Sequence, residues 1–290
     1  MTVTYRVGVD IGGTFTDIVL LGSDGAIHTK KISSSVGNYA QAIVDGLTAI
    51  FCETGLDGGA IEEIRHGTTV ASNAILEHKG ARVGLITTKG FRDVLEIRTL
   101  RMPKLYDLTW TKPPPLVERY LRKVVDERID HAGNVDRALD STDAERTVDA
   151  LLAEKVEAIA ICLLNSFANP VHEAMLRDIV KAKAPHLPLS VSFEVLPEIK
   201  EYERTSTTVI NAYVMPIVTT YLRALRQGLD GAGIPARLLL MQSNGGLTTD
   251  GAAAERPMNI IESGPAGGVV GAQALARAKS LEKIITFDMG

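Results

Sequence analysis

Cysteine is nearly absent: Cys52 and Cys162 are the only two in 290 residues, too few for a disulfide framework. Cys162 lies in an apolar run and reads as inert core. No stretch approaches the roughly 18 apolar residues of a membrane helix, and Arg6 and Asp10 interrupt any leader-like run near the start. The cytoplasm is therefore the expected compartment. There is no surplus of positive charge either, since a net charge of −4 offers nothing to nucleic acid or anionic membrane. His28, His78, His131, His172 and His186 fit no metal-ligand spacing, so no zinc site is expected. What remains, at 45% hydrophobic and 23% charged residues, is an ordinary globular composition in a chain long enough to bury a large core and divide in two.

The most informative stretch runs from Arg6 to Leu20. An apolar strand, Val7 to Ile11, enters Gly12-Gly13, and a second strand leaves from Phe15. The pattern predicts a β-hairpin with Asp10 at the exit of the first strand and Thr14, Thr16 and Asp17 just beyond. Gly-Gly permits φ > 0 and lets backbone N–H groups crowd an anion. Thr14 and Thr16 can add hydroxyl donors, and Asp10 can hold Mg²⁺ directly or through water. Such a turn suits the phosphates of a nucleotide; the alternative is a tight hairpin in which the glycines serve only the turn. A fainter echo, Lys283 to Gly290, repeats apolar strand, Asp, apolar residue and Gly. Aligning Asp288 with Asp10 aligns Gly290 with Gly12, which suggests a duplicated unit with nucleotide between its halves.

Elsewhere strands alternate with helices. Ala40, Ile43, Val44, Leu47, Ile50 and Phe51 recur at helical spacing, and Arg82 to Thr87 reads as a buried strand. Arg98 to Pro115 loses periodicity and reads as a surface excursion or flap. Thr142-Asp-Ala-Glu145 reads as a capping box before a helix. Ala158 to Leu164 reads as a strand buried on both faces, as in a parallel sheet. A further strand is expected near Leu189–Phe193, a helix from Thr205 to about Arg226 kinked at Pro216, and a final strand at Ile284–Asp288.

Three further places invite a ligand. The run ending in Gly245-Gly246 follows the apolar strand Leu238–Met241, where glycine can admit phosphate or simply make a turn. Ser263-Gly-Pro-Ala-Gly-Gly268 opens a helix whose amides can face an anion, or whose glycines allow close packing. His66-Gly-Thr-Thr69 stands at a strand-to-helix junction with Thr68 as the expected N-cap. Arg204, with Glu201 and Glu203, reads as an exposed salt-bridge face.

Val9-Asp-Ile-Gly-Gly-Thr-Phe-Thr-Asp17 resembles the first phosphate motif of the actin-like ATPase superfamily. Within it the chain is similar to the hydantoinase A/5-oxoprolinase family. The resemblance is carried in family order by His66–Ala74, Gly90–Ile97, Leu105–Leu108, Glu194–Glu198, Glu201–Thr208, Gln242–Gly246 and Glu262–Gly268. It departs at Arg98-Thr-Leu-Arg101, where the family has a Gly-Arg-Gln-like run.

The resemblance implies an α/β actin-like ATPase (ribonuclease H-like) fold, with mixed sheets, flanking helices and an incomplete second lobe. It places an N-terminal hydantoinase/oxoprolinase domain at residues 1–195 and a truncated start of the core domain at 196–290. It implies an ATP- and Mg²⁺-dependent amidohydrolase opening a cyclic amide such as hydantoin, N-methylhydantoin or 5-oxoproline through carbonyl phosphorylation. Asp10 would hold Mg²⁺, with Asp288 as partner carboxylate. Gly12, Gly13, Thr14 and Thr16 would meet phosphate, Asp17 would shape the turn, and Gly245, Gly246, Gly264 and Gly267 would join the nucleotide site. His66, Thr68, Thr69 and Asn73 would lie on the substrate side. A hydantoinase B-type partner is implied, a homo-oligomer is compatible, and the 290-residue chain alone is expected to be inactive. The alternatives are a subunit of an ATP-dependent ketone carboxylase and a non-enzymatic nucleotide-driven switch.

Overall fold

A computed structural model describes residues 3–34, 38–99 and 106–288. Arg101, Leu105 and Gly290, named above, lie outside them.

The chain opens with strands β1 (Tyr5–Ile11), β2 (Phe15–Gly22) and β3 (Ile27–Ser33) and helix α1 (Tyr39–Thr54). Then come β4 (Ile61–Thr68), α2 (Val70–Leu76), β5 (Val83–Thr88), α3 (Val94–Ile97), β6 (Arg122–Val125), β7 (Arg128–Ile129) and β8 (Val135–Arg137). They are followed by α4 (Ser141–Ala153), β9 (Ala158–Cys162), α5 (Val171–Lys183), β10 (Leu189–Val191) and α6 (Ser192–Val195). The last elements are α7 (Glu201–Gly231), β11 (Arg237–Met241), β12 (Leu247–Thr249), α8 (Asp250–Glu255) and α9 (Ser263–Ala278).

These elements form two compact units, residues 1–79 with 217–290, and residues 80–216. The first unit takes both ends of the chain. Helix α7 belongs to both, and Pro216, inside it, is the last residue of the second unit.

The first unit holds a mixed six-stranded sheet of order β12-β11-β4-β1-β2-β3. Strands β1, β4 and β11 run parallel, and the hairpins β1–β2, β2–β3 and β11–β12 are antiparallel. Strict alternation in β1 buries Tyr5, Val7, Val9 and Ile11 and turns Arg6, Gly8 and Asp10 to the other face. Packing on the buried face is close. A Cβ on Gly46 of α1 would come within 2.4 Å of Ile18, and one on Gly228 of α7 within 2.8 Å of Val44. Helix α9 lies against the Asp10 face, where a Cβ on Gly267 would stand 3.9 Å from Met241.

The second unit holds an all-parallel sheet of order β10-β9-β5-β6. Strands β5 and β9 are buried along their whole length, as an apolar run in a covered parallel sheet requires. Several expectations change here. The cap of α4 is Asp140, whose carboxylate accepts from the amides of Thr142 (2.7 Å) and Asp143 (3.0 Å), not a capping box at Thr142. The strand at residue 189 ends at Val191 and turns directly into α6.

Arg204 is the largest correction, being 1% exposed. Its Nη2 donates to Leu163 O (2.7 Å), its Nη1 to Glu198 O (2.9 Å) and its Nε to the Cys162 thiol (3.4 Å), while its guanidinium carbon lies 5.3 Å from the Phe167 ring centroid. Strand C-termini leave carbonyls without ladder partners, and a guanidinium satisfies several at once. In the first unit, the expected strand at Ile284–Asp288 is not formed. Those residues carry no regular structure, and Ile285 (96%) and Phe287 (84%) are exposed.

Candidate functional site

The β1–β2 turn is closed by Gly12 N–H donating to Phe15 O at 2.9 Å. Neither Gly12 nor Gly13 has positive φ, so conformational freedom is not what their positions require. What they provide is room. A Cβ on Gly12 would come within 3.3 Å of Phe15 O, while one on Gly13 would meet nothing within 4 Å and would occupy open space above the turn. Thr14 is exposed, and its carbonyl accepts from Ser34 N–H at 2.8 Å. Thr16 is fully buried. Ser34 Oγ donates to Gly12 O (2.9 Å), so Thr16 must be the donor in its 2.9 Å bond to Ser34 Oγ. The Thr16 hydroxyl thus braces the turn from beneath instead of facing a ligand. Sequence reasoning missed Ser34, whose part depends on the β2–β3 pairing.

Asp10 and Asp17 stand directly opposite each other across the hairpin. Like charges in that position repel, and Lys31 offsets only one of them, bonding both Asp17 oxygens at 2.9 Å. The Asp10 carboxyl is held above its ordinary range by partial burial first, then by the charges of Asp17 and Asp288. Asp288 therefore stands within electrostatic reach of Asp10. Two further glycines flank the same carboxylate: a Cβ on Gly67 would lie 3.2 Å from Asp10 Oδ1, and one on Gly264 4.0 Å. The backbone is thus bare on several sides of Asp10. Gly67 was not among the expected site residues, although it stands inside the His66-Gly-Thr-Thr69 run.

Beneath this surface lies a set of braces. Ser263 Oγ donates to Thr68 O (2.8 Å) and accepts from Thr68 N–H (3.0 Å), pinning the first residue of α9 to the end of β4. His66 and Thr68 are each 1% exposed. His66 Nδ1 faces Val9 O at 3.3 Å and Nε2 faces Tyr221 Oη at 2.6 Å. A carbonyl only accepts, so Nδ1 carries the proton and Nε2 accepts from the tyrosine hydroxyl. His66 thus ties β4 to β1, the strand that carries Asp10, and it and Thr68 are both buried. Thr69 and Asn73 are half-buried: Thr69 Oγ1 donates to Ile11 O at 3.3 Å and accepts from Asn73 Nδ2 at 3.3 Å, so both abut the turn. The cap of α2 falls on Thr69, while Thr68 Oγ1 accepts from Val70 N–H at 3.2 Å. Gly245, at φ +84°, makes the β11–β12 turn, and Gly246 N–H donates to Asn244 Oδ1 at 2.8 Å. A Cβ on Gly267 would meet only Met241, so Gly264 is the one of these four glycines that reaches Asp10.

Burial lowers the His66 pKa from 6.5 to about 4. Between those values the unfolded chain binds a proton that the folded one refuses. Stability present above pH 6.5 is thus lost as pH falls, by about 3 kcal/mol once pH 4 is reached. Urea unfolding at about pH 7 and about pH 4.5 should show His66→Gln losing about 2 kcal/mol less than wild type over that interval. An equal loss in both proteins would remove His66 from the acid response.

The residues fit a nucleotide phosphate with a divalent ion. Open backbone at Gly13 and Gly264 admits an anion, and Asp10, which feels the charges of Asp17 and Asp288 and has no cationic partner of its own among the described residues, suits a cation. Among the described residues no group of three ligands forms a metal cage. Mg²⁺ keeps several waters and takes one or two carboxylates plus phosphate oxygens, a set to which Asp10 and Asp288 could contribute.

The fold is α/β of the actin-like ATPase type. Residues 6–184 match the hydantoinase/oxoprolinase N-terminal region and residues 204–290 the hydantoinase/oxoprolinase family. The chain belongs to the hydantoinase/oxoprolinase family. Caprolactamase subunit alpha of Pseudomonas jessenii is 36% identical over 99% of this chain and 42% of its own length. The crystal structure of the ATP-dependent caprolactamase from that organism superposes with TM-score 0.90 at 35% identity, over 99% of this chain and 42% of that one. 5-Oxoprolinase 1 of Arabidopsis thaliana is 32% identical over 98% of this chain and 25% of its length. A nucleotide-free acetone carboxylase structure gives TM-score 0.86 at 27% identity, over 96% of this chain and 41% of that one. The chain spans less than half the length of the curated relatives it matches.

Proposed function

We propose that this chain supplies the ATP-phosphate site of a hydrolase that opens cyclic amides such as hydantoins, 5-oxoproline or caprolactam. The observation that carries the reading is Asp10, next to last in β1 with bare backbone at Gly67 and Gly264 against its carboxylate, and with Asp17 and Asp288 close enough to raise its pKa. A lactam is a poor electrophile because its nitrogen feeds the carbonyl. Transfer of the γ-phosphoryl group to the carbonyl oxygen, with ADP leaving, opens the carbon to water. The ring C–N bond then breaks with the nitrogen leaving as the amine, and a second water attacks the carbon of the resulting acyl phosphate and releases phosphate. The protein's work is to place the phosphates and stabilise the charge that develops on them.

Asp10 would hold Mg²⁺ directly or through water, with Asp288 as its partner carboxylate. The ion, when bound, would neutralise phosphate charge. Gly12, Gly13, Thr14 and Gly264 present backbone to the phosphates, Thr16 and Asp17 hold the turn, and Thr69 and Asn73 border it. A hydantoinase B-type partner subunit is part of the proposal, supported by the subunit naming of the caprolactamase relative. The second reading, a ketone carboxylase subunit, rests on the likeness to acetone carboxylase.

Phosphate release by the native enzyme with hydantoin, 5-oxoproline and caprolactam, and separately with acetone and bicarbonate, tests the two readings. Stimulation by a lactam alone supports the first; stimulation by ketone and bicarbonate alone overturns it. Gly13→Val checks the cradle. Its Cβ meets no protein atom, so the fold should hold within about 1 kcal/mol, while ATP affinity should fall at least about tenfold. Wild-type affinity in that variant would move the cradle elsewhere.

A further inference from the structure

Residues 80–216 contain none of the residues assigned to nucleotide, yet they carry a charged cleft of their own. A cleft of about 270 Å³ is lined by Arg122, Lys123 and Val124 of β6, by Arg146, Thr147 and Ala150 of α4, and by Arg92. Four of these seven residues are cationic. Among the described residues Arg92, Lys123 and Arg146 form no ion pair.

Arg122 is 2% exposed. Its Nε donates to Val117 O at 2.9 Å and its Nη2 to Glu96 Oε2 at 3.0 Å. Its Nη1 pairs with Asp93 Oδ1 only at 3.8 Å, beyond hydrogen-bond range, and is the one buried side-chain polar atom without a hydrogen-bond partner among the described residues. The neighbouring acids are already engaged. Asp93 binds Arg119 through both oxygens at 2.9 and 3.0 Å. Asp140, the carboxylate that acts on Arg146, caps α4. Arg122 keeps an unmet donor, and Arg92 and Arg146 are offset only by Asp93 and Asp140 without a direct ion pair, so an anion in the cleft would improve the balance.

We propose that this cleft binds a small phosphate-type dianion. Guanidinium forks match tetrahedral and planar oxyanions, and a dianion balances the surplus better than a monoanion does. The volume lies just below the roughly 300–1,000 Å³ of sites for larger ligands, which favours a free ion or small phosphate ester over a nucleotide.

Inorganic phosphate titrated into the native protein, with chloride adjusted to constant ionic strength, tests the proposal by calorimetry and thermal midpoint. Wild type should bind phosphate and shift its midpoint upward. Arg92→Ala/Arg146→Ala, two exposed positions, should weaken that binding tenfold or more, while Gly13→Val should retain it. Should the double variant fail to fold, Lys123→Gln replaces it and is read the same way. No phosphate binding by wild type, equal affinity in the double variant, or loss only in Gly13→Val would overturn the proposal, the last by moving the ion to the β1–β2 turn.

Discussion

Asp10→Asn should reduce ATP turnover by roughly a hundred- to a thousandfold while leaving the fold no less stable than wild type. Both halves follow from the same geometry. Asp10 faces Asp17 across the hairpin and feels Asp288, so its ionised form is disfavoured in the folded state. A carboxyl with a raised folded pKa binds protons more readily when folded, and its ionisation removes stability as pH rises through that range. Asparagine keeps the shape and relieves the repulsion, for a gain of up to about 1 kcal/mol. The same substitution removes the charge proposed to hold the cation. Turnover with the lactam substrate and the thermal midpoint, measured on the same preparation, decide the matter. Retained turnover would remove Asp10 from the mechanism, and a large drop in midpoint would make it a structural residue.

Arg204→Ala should cost about 3–5 kcal/mol in the second unit. The substitution leaves Leu163 O and Glu198 O without their donor, empties the space against Phe167, and strips the Cys162 thiol of the guanidinium that partly offsets the pKa rise caused by burial. Arg204→Lys should recover only part of the loss, since one ammonium cannot span both carbonyls and the ring. Denaturant unfolding of the three proteins reads this directly. A loss within about 0.5 kcal/mol for Arg204→Ala would mean that the guanidinium merely fills space.

Much of the site's frame was legible because it is local. The alternation through Val7, Val9 and Ile11 sets both the hairpin and the face that carries Asp10, and these depend on residues near in sequence. The braces were not legible, because each needs a partner far away. His66 becomes a core residue only when Tyr221 on α7 reaches it, and Ser263 matters only once α9 docks on β4. Arg204 misled through its acidic neighbours. A stricter reading of periodicity finds it on one helical stripe with the buried Thr208 and Asn211, which places a polar row inward. The glycines of the turn were found for the wrong reason, since open space and not positive φ explains Gly13. Ile284–Asp288 carries a strand's pattern, yet a strand exists only where a neighbour supplies its hydrogen bonds.

The most direct test of the central claim follows one oxygen atom. The native enzyme is given ATP and a lactam labelled with ¹⁸O at its carbonyl, and the released phosphate is examined by mass spectrometry. Phosphorylation at the carbonyl oxygen predicts that the label appears in inorganic phosphate, in step with ring opening. Ring opening with ATP consumed and the label left entirely in the carboxylate product would contradict it.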